Sequence, residues 1–157
     1  MNYEGTFQLN ETHRFALVVS RFNDVFTKKL EEGAKDCLIR HGAQESQIDT
    51  FWVSGCFEIP LVLKKLAKAQ KYQAMVALGV VIRGNTPHFD YVCHGCTSGL
   101  QQVTLDTNLP IAFGVLTTDT LEQAQLRSSS SNLDQNKGQD AALCVLEMIN
   151  VLKSICS

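Results

Sequence analysis

Four times along the chain a short, unbroken apolar run gives way to a stretch whose apolar residues recur every three or four positions. The first run, Phe15-Ala16-Leu17-Val18-Val19 closed by Ser20, offers no polar residue to water and fits a strand covered on both faces. From about Val25 to His41, the residues Phe26, Leu30, Ala34, Cys37 and Leu38 share one helical face, and Gly42 stands where a helix end favours glycine. The pattern then repeats. Ile48 to Val53 reads as a strand, Gly55 breaks it, and Ile59 to Ala69 reads as a helix with Pro60 in its first turn, where no N–H is needed.

Ala74 to Ile82 predicts the longest buried strand, followed by Thr86 and Pro87 as cap and first residue of a helix running toward Gln102. Pro110 to Leu116 predicts a fourth strand, Thr120 to Leu126 a short helix, and Asp140 to Leu152 a longer one. The polar stretch Ser128 to Gly138 between these two helices predicts a loop. Strand-then-helix units in series need crossover connections, which set the strands parallel and put helices on the sheet faces. The expected fold is therefore α/β, a three-layer flavodoxin-like sandwich with a four-stranded parallel sheet flanked by helices, in a single domain over residues 1–157. The last helix is apolar nearly all round, with Leu143, Met148, Ile149 and Val151 beyond what one buried face requires, so its surplus predicts subunit contacts.

Composition narrows the function. With 45% apolar residues the chain can bury one substantial core, and at 157 residues it is short for two ordinary domains. A net charge of −2 with scattered Lys and Arg leaves no basic stripe, which argues against nucleic acid as a partner. No apolar run approaches the roughly 18 residues of a membrane span. The opening Met1-Asn2-Tyr3-Glu4-Gly5 lacks a secretory pattern, so a cytoplasmic protein with no membrane partner is expected. In that compartment the cysteines at positions 37, 56, 93, 96, 144 and 156 are expected to be mostly free thiols.

Ligands of open α/β sheets bind beyond the C-terminal strand ends. Three of the four predicted ends carry unusual sequence: Arg21-Phe22-Asn23, then Gly55-Cys56-Phe57-Glu58, then Arg83 through Tyr91. No GxGxxG follows the first strand and no GxxxxGK[ST] occurs, which disfavours a dinucleotide-dependent hydride transferase or a kinase.

In order and spacing, Arg21-Phe22-Asn23, Gly55-Cys56-Phe57-Glu58-Ile59-Pro60, the run from Gly79 to Cys93, and Phe113-Gly114-Val115-Leu116-Thr117-Thr118-Asp119 resemble the lumazine synthases of riboflavin biosynthesis. The resemblance spans nearly the whole chain, and its most specific element is Arg83-Gly84-x-Thr86-x-His88-x-Asp90-Tyr91. It implies condensation of a ribitylamino-pyrimidinedione with 3,4-dihydroxy-2-butanone 4-phosphate, with loss of phosphate and water and with no cofactor and no metal.

The resemblance also assigns roles. His88 matches the catalytic histidine, an imidazole suited to proton transfer near neutrality. Phe22 matches the aromatic that stacks on the pyrimidine. Cys56, Phe57 and Glu58 match the segment that holds the ribityl chain, and Val80, Val81 and Ile82 the strand end whose backbone recognises the ring. Asn85 and Thr86, before a helix N-terminus, and Arg127 and Lys137 match the phosphate-binding groups. Phe113 matches an aromatic that reaches the site from a neighbouring subunit together with the arginine. A homo-oligomer follows, a pentamer in preference to the icosahedral 60-mer that many members form, because the segment between Arg127 and Lys137 is about two residues longer than usual and less basic. Without the motif, each residue has a plainer reading: Phe22 and Val80 to Ile82 as core, Thr86 as a helix cap, Arg127 as an exposed helix end.

Two rival functions stand beside this one. Cys93-His94-Gly95-Cys96 is a CxxC, which near βαβ units can be a thiol oxidoreductase pair, although it falls inside a predicted helix rather than at its start. A non-catalytic flavin-binding protein on the same fold is the other. A second CxxC or HxxxH pair is missing, so structural zinc is not expected.

Overall fold

A computed structural model describes residues 1–155. The chain alternates strand and helix: β1 (Phe15–Ser20), α1 (Asp24–Arg40), β2 (Ile48–Val53), α2 (Ile59–Lys68), β3 (Ala74–Ile82), α3 (His88–Thr107), β4 (Ile111–Thr118), α4 (Leu121–Arg127) and α5 (Lys137–Ile155). All strand pairs are parallel, in the order β2-β1-β3-β4. This is the expected three-layer α/β sandwich.

The period-two alternation of a strand splits the core into two layers. Phe15, Leu17 and Val19 of β1 point to the face covered by α1 and α5, where Leu30, Leu38, Ala142 and Leu146 meet them. Ala16 and Val18 point to the face covered by α2 and α3, against Ile59, Leu63, Cys96 and Leu100. Every residue of β1 is buried, as its unbroken apolar run requires. Each fully buried leucine or isoleucine contributes about 1.5–3 kcal/mol of transfer free energy.

Boundaries moved where local hydrogen bonding outweighed periodicity. α3 starts at His88, one residue later than the expected Thr86-Pro87 start, but the Thr86 hydroxyl still accepts from the His88 N–H at 3.4 Å. α5 starts at Lys137, three residues before the expected Asp140, because the Asn136 side chain caps it. The expected loop thus ends earlier, and it holds one 3₁₀ turn, Leu133–Gln135. α5 leaves Cys144 and Met148 exposed, in keeping with its surplus of apolar residues. Among the described residues, no helix is long and apolar enough to cross a membrane. The five described cysteines are free thiols; Cys156 lies outside the described residues.

Candidate active site

The chain leaves β1 toward β2 on one side and reaches β3 and β4 on the other, so the strand order reverses between β1 and β3. Crossovers diverge at such a point and open a crevice at the C-terminal strand ends. The register shows how. β1 pairs with β3 only as far as Val19 with Leu78, whereas β4 follows β3 to its end, Ile82 with Thr118. The last four residues of β3 therefore pair with a strand on one edge alone. Val80 is served on the open edge by Asn23, whose Nδ2 donates to its carbonyl at 2.9 Å. By alternation Ile82 turns its N–H and C=O to the same edge, where no strand follows.

A cavity of about 620 Å³ fills this crevice. Phe22, from the turn after β1, and Cys56, Phe57 and Glu58, a 3₁₀ turn after β2, form one side. Val80, Val81 and Ile82 form the floor, and Thr86, His88, Phe89, Tyr91 and Val92 the other side. Gly79 makes room for this arrangement, since a Cβ there would lie 2.4 Å from the Cys56 sulfur. The aromatic rim is open to solvent, with Phe22 71%, Phe57 60% and Tyr91 72% exposed. Large apolar side chains left so bare around a concavity mark a binding surface.

Of the residues assigned to substrate, Phe22, Cys56, Phe57, Glu58, Val80, Val81, Ile82, Thr86 and His88 thus share one cavity. Asn85 is exposed in the same loop, beside Thr86 but outside the lining. Phe113, Arg127 and Lys137 are elsewhere: they line a second cavity of about 490 Å³ on the outer edge of β4, with Asp140 and Cys144. There the Lys137 ammonium meets Asp140 at 2.6 Å, and Arg127 donates to the carbonyl of Gln123 at 3.2 Å.

Sequence reasoning gave no role to Tyr91 and Val92, yet both line the first cavity. The signal was available, since positions 88, 91 and 92 share one helical face. Arg83 was also missed. It ties the ends of β3, α3 and β4 together, with Nε on Asp119 at 2.9 Å, Nη1 on Asp90 at 3.2 Å, and its guanidinium 4.2 Å from the Phe89 ring centre.

The cysteines are not tuned for redox chemistry. Burial pushes the Cys96 thiol up to about 12 and the Cys56 thiol up to about 11, the latter despite a hydrogen bond to Ser20. Burial and the neighbouring Asp90 raise the Cys93 thiol as well. A thiol oxidoreductase needs the opposite shift, so the CxxC reading has no support here.

The comparisons with known proteins agree with the motif. A family model described as 6,7-dimethyl-8-ribityllumazine synthase matches residues 12–153. The 6,7-dimethyl-8-ribityllumazine synthase of Thermosynechococcus vestitus is 48% identical over 159 aligned positions, covering 99% of this chain and 88% of that protein. That of Chlorobium phaeobacteroides is 54% identical over 140 positions, 89% of each chain.

Proposed function

This chain belongs to the 6,7-dimethyl-8-ribityllumazine synthase family, and from that premise we propose how its two cavities share the reaction. The enzyme is a transferase of riboflavin biosynthesis that condenses 5-amino-6-(D-ribitylamino)uracil with 3,4-dihydroxy-2-butanone 4-phosphate.

The pyrimidine belongs in the first cavity. Its ring stacks on Phe22, and its polar edge meets the open backbone of Ile82, as a missing strand would. The ribityl hydroxyls meet the Glu58 carboxylate and the amides that open the Cys56–Glu58 turn. His88, at the start of α3, reaches the 5-amino nitrogen. It takes the proton released as that nitrogen adds to the ketone and returns it to the departing hydroxyl when the Schiff base forms. Elimination of phosphate and ring closure with loss of a second water require further transfers of the same kind. The phosphate is held at the loop of Asn85 and Thr86, whose helix supplies a positive end, and by Arg127 and Lys137.

The observation that carries this reading is the separation of His88 and Arg127 into two cavities of one chain. One complete site then needs the second cavity of a neighbouring subunit, bringing Phe113, Arg127 and Lys137 against the first. Two different surfaces meeting head to tail make a heterologous contact, which closes into a ring where the rotation between subunits divides a full turn. We assign that ring as a homopentamer. Phe113, which lines the second cavity and stands bare, and the exposed Leu121 and Leu126 of α4, the helix that ends at Arg127, support burial on this side. The free thiols support a cytoplasmic location.

Complementation tests the shared site. His88→Ala and Arg127→Ala are each expected to turn over weakly as pure assemblies. Co-assembled in equal amounts, they should regain activity at about a quarter of sites, those pairing an intact first cavity with an intact second one. Mixed assemblies no faster than the mean of the pure variants would refute the shared site.

A further inference from the structure

Nothing in the polar sequence from Ser128 to Gln135 requires Arg127 and Lys137, at its two ends, to face the same space. They do so, and one side chain accounts for it. Asn136 is wholly buried. Its Nδ2 donates to the carbonyls of Lys29 and Ser129, both at 3.0 Å, while its Oδ1 accepts from the N–H groups of Gly138 at 2.9 Å and Gln139 at 3.3 Å. The acceptor half caps α5. The donor half ties that cap to α1 and to the chain just past α4.

The seat is built for this amide. A Cβ on Gly33 would come within 2.5 to 2.8 Å of the Asn136 amide atoms, and one on Gly138 would lie 2.0 Å from the Leu30 carbonyl oxygen. Ser129 is two residues past Arg127, and Lys137 adjoins Asn136, so the tether from Asn136 to Ser129 fixes both cations from behind. It also closes the intervening segment into a loop. That loop holds the 3₁₀ turn Leu133–Gln135, and its ends stay together through the Asn136–Ser129 bond.

We infer that Asn136 is a positioning residue for the phosphate end of the four-carbon substrate, acting through Arg127 and Lys137. The inference rests on the assignment of those two cations to the phosphate. Asparagine suits the position because it alone of the small side chains offers two donors and an acceptor from one planar group. Aspartate has its shape but would set a carboxylate oxygen against two carbonyl oxygens.

Asn136→Asp and Arg127→Ala test this in the assembled enzyme, with assembly mass and thermal midpoint measured alongside. The readouts are KM for each substrate and the inhibition constant of inorganic phosphate. Asn136→Asp is expected to raise KM for the butanone phosphate, and the phosphate inhibition constant, by about tenfold. KM for the pyrimidine should stay within about twofold. If Asn136→Asp does not assemble, Asn136→Ser carries the same expectation, since it keeps a cap and loses the tether. Unchanged phosphate binding in an assembled variant, or equal loss for both substrates, would overturn the inference while Arg127→Ala still weakens phosphate. Unchanged phosphate binding in Arg127→Ala would overturn the assignment on which it stands, and the inference with it.

Discussion

Asn23 holds a left-handed backbone at φ 62° and donates from its side chain to the carbonyl of Val80 at 2.9 Å. The turn that presents Phe22 is thereby fastened to the strand end that forms the cavity floor. Asparagine tolerates this backbone and alanine does not, by about 1 kcal/mol. Asn23→Ala should therefore lower stability by about 1–2 kcal/mol and raise KM for the pyrimidine several-fold. Asn23→Gly separates the two effects. It should recover the backbone share of stability in urea unfolding but not the KM, and recovery of both would mean that the bond to Val80 is unimportant.

Gly95 is the seat of Phe57. A Cβ there would lie 2.4 Å from Cε2 of that ring. Because Phe57 is 60% exposed, the ring can move away at little cost in packing. Gly95→Ala should leave the thermal midpoint unchanged or higher, since alanine favours a helix by about 1 kcal/mol over glycine. Its KM for the pyrimidine should rise about threefold to tenfold. Gly138→Ala meets backbone instead, and the expected outcome is loss of stability; the same urea series measures both.

At the opposite end of the sheet, Asp49 accepts hydrogen bonds from Lys71 and Tyr72 at 2.7 Å and lies 3.5 Å from Arg14. The bond from Lys71 and then that from Tyr72 hold its carboxyl below the ordinary 3.8. A folded value below the unfolded one gives stability that is complete above 3.8 and is lost as pH falls through the folded value. The stability gap between wild type and Asp49→Asn should thus be constant from neutrality to about pH 5 and narrow below it. A gap independent of pH down to acid unfolding would show that the carboxylate's charge contributes nothing.

Cys93→Ala with Cys96→Ala should retain lumazine formation, because both thiols are raised rather than activated. A stability loss of about 1 kcal/mol is expected from the buried Cys96 site. Turnover abolished in a folded, assembled double variant would reopen a thiol role.

The alternation of apolar runs and helical periodicities was sufficient for the four strands, the five helices and the parallel sheet, because strand burial and helix amphipathicity leave local traces at periods of two and 3.6. The motif order likewise marked Phe22, Cys56 to Glu58, Val80 to Ile82 and His88 as neighbours, since all follow strand ends that a parallel sheet gathers on one side. Three things were decided only in the tertiary structure. The open backbone edge at Val80 and Ile82 came only with the register, which shows β1 stopping short of them. What holds Arg127 and Lys137 to one cavity came only with Asn136, which tethers the chain at Ser129 and caps α5. The separation of His88 from Phe113 and Arg127 has no trace in linear spacing, because distance between surfaces depends on how whole elements pack and not on any residue's neighbours in the chain.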